Sequence, residues 1–169
     1  VLEDWNRAHA RHTRLLAELL GAGVSADAHH PTQPDPNGSG LAMAMRRAMV
    51  ASDIAPEDVD YVNAHGTGTP LNDPAEVRAI KAVLGDQARR IPVSSIKSML
   101  GHTLGAAGAI EAVASVLSIT EGFVPPTATL RTPDPECDLD HVPGRARSVP
   151  IRTVLSTSLG FGGNDVSAP

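Results

Sequence analysis

Residues 59–70 read VDYVNAHGTGTP. Val59 to Ala64 is a compact run of β-formers, and it empties into a turn built from glycine, threonine and one histidine, His65. Two further stretches repeat this plan. Pro92 to Ile96 reads as a strand and runs into KSMLGH, which carries Lys97 and His102. Ile151 to Thr157 reads as a strand and runs into SLGFGGND, residues 158–165. Helical patterns separate these strands. LAMAMRRAMVASD has apolar residues at helical spacing, and Ser39 is its expected cap. Pro70 to Gly85 predicts a second helix, with Asp73 as cap and Pro74 in the first turn. Gly105 to Gly122 predicts a long helix, apolar and small on most faces, that should be buried on more than one side. Strands alternating with helices predict an α/β layered fold, in which ligands gather beyond the carboxyl ends of strands.

Working outward, Leu2 to about His12 suits a short helix. Propensity alone extends helix from there through Leu20 in LLAELLGAGVSADA, whereas the tail GVSADA looks extended. His29 to Gly40 is a loop dense in Pro, Asn and Gly, and Pro56 and Glu57 start a turn. VPPTATL and PDPECDLDHVPGRARS read as extended loop. There is no internal repeat, and residues 1–169 predict one domain without a second.

Composition narrows the function classes. With 41% hydrophobic and 20% charged residues the chain is not wholesale disordered. A net charge of −5 without a basic run argues against nucleic acid as partner, and only Trp5, Tyr61, Phe123 and Phe161 are available to stack bases. Without an evident apolar stretch of about 18 residues or a secretory signal, no membrane span and a cytoplasmic setting are expected. A single cysteine, Cys137, excludes an internal disulfide and any multi-cysteine zinc site.

The three turns carry the chemistry. Thr67 and Thr69 place hydroxyls beside His65, although a glycine-rich turn capped by a histidine has the same composition. His102 precedes a long helix, whose positive end favours a neutral, donating imidazole. Lys97 and Glu111 form the obvious pair, because an apolar helix rarely buries a lone carboxylate. The pair reads either as a structural salt bridge or as a support that positions His102. Gly160, Phe161 and the two glycines after them offer backbone N–H groups suited to an oxyanion hole or to a phosphate nest. His9 and His12 fit either a metal pair or a solvated helix face, so no metal is expected. His29 and His30 could border a channel entrance, and His141 carries no signal. Arg11, Arg14, Arg46 and Arg47 could meet an acidic carrier protein or stand as ordinary solvated arginines.

Taken in order, HGTGTPLND, KSMLGHTLGAAGAIEA, VPPTATL with PDPECDLDHVP, and GFGGND make the chain resemble the β-ketoacyl-acyl-carrier-protein synthases. The likeness is to second-type elongating enzymes and to ketosynthases of type II polyketide pathways, and it runs through essentially the whole chain. It implies a thiolase-like fold of two α/β halves in αβαβα layers, usually dimeric, of which this chain resembles the carboxyl-terminal half. It also implies that LLAELLGAGVSADA is largely strand. By resemblance, His65 and His102 donate to an enolate formed when malonyl on an acyl carrier protein loses carbon dioxide. Thr67 and Thr69 hold a phosphopantetheine arm that arrives with the substrate, so no resident cofactor is expected. Phe161 gates the cleft and its N–H, after Gly160, completes the oxyanion hole, while Lys97 and Glu111 hold the geometry. Leu159, beside that gate, is the candidate for tuning chain access.

The family's nucleophilic cysteine lies in the other half. Cys137 sits among Asp134, Glu136, Asp138 and Asp140, which raise a thiol pKa and blunt it. The chain alone is therefore expected not to condense anything. It reads as a fragment, which the start at Val1 favours, as one subunit of a split enzyme, or as a non-catalytic partner like a chain-length factor. A degradative thiolase is disfavoured, since that group uses a second cysteine near its carboxyl terminus. Half of a two-half fold leaves a large apolar face open, so the chain is expected not to be a stable monomer.

Overall fold

Val62 and Leu155 lie side by side on neighbouring strands, and both are fully shielded from solvent. They mark the centre of a sheet in the computed structural model, which describes residues Val1–Pro169. The sheet contains β1 (Gly23–Ala26), β2 (Tyr61–Asn63), β3 (Val93–Ser94), β6 (Val154–Gly160) and β7 (Asn164–Ala168) in the order β1-β7-β6-β2-β3. β2 runs parallel to β3 and to β6, with Val62 opposite Val93 on one side and Leu155 on the other. β7 folds back antiparallel on β6 and pairs antiparallel with β1. A separate ribbon joins β4 (Phe123–Val124) to β5 (Arg147–Ser148).

Alternation along β2 sorts the layers, because successive side chains point to opposite faces of a strand. Val62 enters a core with Leu41, Met45 and Met49 of α2 (Ser39–Ala51) and Ile80 and Leu84 of α3 (Asn72–Leu84). Asn63 points the other way, and its Nδ2 donates to the Glu111 carbonyl and the Ser115 hydroxyl of α5 (Ala107–Glu121). The result is three layers: α2 and α3, the sheet, and α5. Tyr61 seeds a smaller cluster with Val124, Val142, Ile151 and Val154. The first helix, α1, spans Trp5–Ala10.

The α/β expectation holds, with local corrections. Residues 13–22 form no helix despite their Leu, Ala and Glu content. Leu20 N–H donates to the Pro169 carbonyl at 3.2 Å, so this segment follows the edge of the sheet. The strand implied by the resemblance is confined to Gly23–Ala26. Ser39 does not cap α2; it is the helix's first residue, and its hydroxyl bonds back to Asp35. Asp73 lies inside α3, where it accepts from the Gly68 N–H at 3.1 Å and thereby ties down the glycine turn. The β6–β7 hairpin is absent from the sequence reading, which ended its last strand at the glycines.

α5 departs furthest from expectation. Only Ala107, Glu111, Ser115 and Ser118 are buried, while Val113 is 61% and Leu117 48% exposed. One face packs on β6, and the apolar remainder faces solvent. Leu104–Glu121 is also long and apolar enough to cross a membrane, with a mean hydropathy of 1.3 over 18 residues, contrary to the expectation of no such stretch. Its inner face nevertheless carries polar groups that bond to β2 and to Lys97.

Candidate active site

β2 ends at Asn63, and two residues later the chain delivers His65 beyond the sheet. Its position is fixed through the backbone. The His65 N–H donates to Glu76 Oε1 at 2.8 Å and the Gly66 N–H to Glu76 Oε2 at 2.8 Å. Thr157 of β6 donates its hydroxyl to Glu76 Oε1 at 2.6 Å. Glu76 is 2% exposed and projects from α3 under the loop. Burial raises its pKa, while Thr157, Gly66 and His65 pull it back down. Sequence reasoning missed Glu76, and its only signal was a carboxylate among the apolar residues of α3.

His102 comes from the loop between α4 (Lys97–Leu100) and the 3-10 turn Leu104–Ala106 that leads into α5. The Leu104 N–H donates to His102 Nδ1 at 3.1 Å. In a neutral ring that bond leaves the proton on Nε2, the tautomer of a hydrogen-bond donor. The two imidazoles meet edge to face, with centroids 5.3 Å apart and planes at 82°. Burial, then Lys97 and His102, pushes the His65 pKa down to about 3, so this ring is neutral throughout the physiological range.

Lys97 and Glu111 form the anticipated ion pair, almost wholly enclosed. Glu111 Oε2 also accepts from the Ser158 hydroxyl of β6 at 3.3 Å. One carboxylate therefore links α4, α5 and the strand that leads to the glycine turn. A buried pair of this kind is costly to break, because the surviving charge is left unpaired.

The same cleft is lined by Thr67, Thr69, Leu159, Gly160 and Phe161. Thr67 and Thr69 share a hydrogen bond of 2.9 Å at the rim. Phe161 is 79% exposed at the tip of the β6–β7 hairpin. Its turn is closed by Gly162 at φ +83° and Gly163 at φ +70°, angles that residues with a Cβ rarely adopt. Cys137 also borders the cleft, and burial with Asp134, Asp73 and Glu136 pushes its thiol up to about 11. His9 and His12 lie at and beyond the exposed end of α1, where His9 stacks on Trp5. His30 Nδ1 accepts from the Thr32 N–H in an exposed loop. The structure thus gathers His65, His102, Lys97, Thr67, Thr69, Gly160 and Phe161 around one cleft, with Glu111 buried behind Lys97.

A sheet whose parallel strand ends carry two facing imidazoles matches a known class. Residues 16–131 match the family described as Beta-ketoacyl synthase, C-terminal domain, and the chain belongs to that family. It is 52% identical to 3-oxoacyl-[acyl-carrier-protein] synthase 2 of Coxiella burnetii over 165 residues, which are 98% of this chain and 40% of the relative. It is 50% identical to the protein of the same name from Synechocystis sp., again over 40% of that protein. The chain therefore spans about 40% of the length of these curated relatives. Among solved structures it superposes on the ishigamide ketosynthase/chain length factor with a TM-score of 0.93 at 44% identity, covering 98% of this chain and 40% of that one. It also superposes on a ketosynthase in complex with its type II polyketide acyl-carrier protein, with a TM-score of 0.95 at 42% identity, covering 98% of this chain and 41% of that one. The fold is accordingly thiolase-like, and the three layers described here are one part of it.

Proposed function

We propose that this chain supplies the histidine half of a ketosynthase active site for decarboxylative Claisen condensation. The facing His65 and His102 rings carry this reading: their centroids lie 5.3 Å apart, and both border the cleft lined by Thr67, Thr69 and Phe161. An acyl group waits as a thioester on a cysteine contributed by an amino-terminal half, on the same chain or a separate one. A malonyl thioester carried by an acyl carrier protein then loses carbon dioxide, and the electron pair of the broken C–C bond becomes an enolate. The two imidazole N–H groups stabilise the enolate oxygen, and its α-carbon attacks the acyl thioester. The tetrahedral oxyanion is held at the Phe161 N–H and collapses by expelling the cysteine thiolate, leaving a β-ketoacyl product. Thr67 and Thr69 hydrogen-bond the phosphopantetheine arm, which comes with the substrate, so no resident cofactor or metal takes part.

Lys97, with Glu111, holds the geometry, and burial, helped by the Lys97 charge, keeps His65 uncharged. Cys137 is not the nucleophile, because a thiol pushed up to about 11 is almost entirely protonated at neutral pH. The complete enzyme works as a homo- or heterodimer in the cytoplasm. Structures in which relatives are described with an acyl-carrier protein or a chain length factor support partners of those two kinds.

The test is malonyl decarboxylation by this chain co-expressed with the amino-terminal half. Replacing either histidine by alanine removes one donor, worth on the order of 3 kcal/mol, or about a hundredfold in rate. Unchanged rates in both His65→Ala and His102→Ala reject the assignment and favour the alternative, a structural subunit like a chain-length factor.

A further inference from the structure

We propose that Asp27 and Asp165 share a single proton, and that this acid–carboxylate pair is a positioning device that seats the Phe161–Gly163 turn and releases it when the proton is lost. Asp165 is the second residue of β7, directly across from Leu159, and is 1% exposed. Its Oδ2 is buried and has no other hydrogen-bond partner. Asp27 follows the end of β1, and its Oδ2 accepts from the Asp35 N–H at 2.8 Å, which leaves Oδ1 free. Asp27 Oδ1 and Asp165 Oδ2 converge over the bare Cα of Gly40, where any Cβ would collide with both oxygens. Two carboxyl oxygens brought together in a buried site are compatible only when one of them carries a proton.

The pair lies where the turn is attached. The Asp27 N–H donates to the Gly163 carbonyl at 2.7 Å, and the Gly162 N–H donates to the Pro31 carbonyl at 2.7 Å. A Cβ on Gly163 would come within 2.8 Å of Asp27 Cβ, so the turn leans directly on this residue. Neither Asp27 nor Asp165 takes part in an ion pair. The loop adds Asp35, with His29 beside it. α2 adds the backbone of Gly40, while Arg46 and Arg47 donate to the Ala82 and Val24 carbonyls. β6 presents only Leu159.

Burial, then the neighbouring Asp27 and Asp35, raises the Asp165 pKa to about 7. The sign follows. A carboxyl raised in the folded state adds stability that is complete below the ordinary carboxylate value, and that stability is lost as pH rises through the folded pKa. Below pH 7 the shared proton draws Asp27 and Asp165 together. Above it two adjacent carboxylates repel, and Asp27 is pushed from the Gly163 carbonyl it holds.

The experiment places 4-fluorophenylalanine at position 161, in the full chain together with the amino-terminal half used above, and follows its fluorine resonance from pH 5.5 to 8.5. The readout needs no turnover, so it stands or fails independently of the proposed reaction. The expected result is a shift with a midpoint near pH 7. In Asp165→Asn the amide donates to Asp27 at every pH, and the resonance stays at its low-pH position. Asp27→Asn gives the same result from the other side and serves where the first variant folds poorly. A resonance that does not move in the unsubstituted protein, or that moves equally in both variants, overturns the proposal.

Discussion

Glu76 accepts three hydrogen bonds on two oxygens while enclosed by protein, and two of the donors are the consecutive N–H groups of His65 and Gly66. Removing the carboxylate strands the Gly66 N–H and the Thr157 hydroxyl and leaves the His65 N–H only its longer bond to Thr157 Oγ1 at 3.2 Å, at roughly 1–3 kcal/mol for each group left unsatisfied. Glu76→Ala should therefore cost about 3 kcal/mol or more in urea unfolding, and a loss below about 1 kcal/mol would contradict this account of the loop. Glu76→Gln keeps the acceptor oxygen but turns an N–H₂ toward N–H donors, so it should fall between the two. The residues that stood out in the sequence were chemically out of place: a histidine between glycines, a lone carboxylate in an apolar helix. Lys97, His102 and Glu111 were legible on those grounds. Glu76 was not, because in PAEVRAIK a carboxylate two residues from an arginine looks like part of a solvated helix face. Only the path of the loop over α3 reveals what it does.

Among the elements, α5 combines a buried polar seam with an exposed apolar face. Ser115 bonds Asn63 and Glu111 bonds Lys97 on the seam, while Val113 and Leu117 stand out toward solvent. Large exposed apolar faces are characteristic of interaction sites. Val113→Asp with Leu117→Asp should leave the circular dichroism of the isolated chain unchanged and abolish its copurification with the amino-terminal half. Retained copurification would show that the partner docks elsewhere. Helices α2, α3 and α5 were visible in the sequence, α2 from apolar spacing, α3 from Pro74 in its first turn and α5 from a long run of small and apolar residues. The β6–β7 hairpin was not, because GFGG reads as the end of a strand unless the short run NDVSA is known to return along it. Residues 13–22 misled for the opposite reason. Their helix propensity is high, but a few tenths of a kcal/mol per residue yields to the hydrogen bonds offered by a sheet edge. The capping residues misled in a similar way, since Ser39 and Asp73 spend their side chains on the neighbouring loops.

At the scale of the molecule, surface area is informative. A self-contained monomer of 17.5 kDa exposes about 7,900 Å², whereas this chain exposes 9470 Å². The excess is roughly twice the area, about 800 Å², that one partner buries in a standard protein–protein interface. Leu15, Leu16, Leu19 and Leu20 contribute to it along the amino-terminal segment, as do the outer residues of α5. Gel filtration of the isolated chain should give oligomers or aggregates. A monodisperse monomer of compact volume would show that the open faces need no cover.

Asn63 ties this scale back to the first. It stands two residues before His65, and its amide grips the carbonyl of Glu111 on the inner side of α5. Whatever comes to rest on the outer side of that helix pushes against a rod braced two peptide units from the imidazole. The helix that presents the open face and the loop that presents the imidazole are thus joined through a single amide.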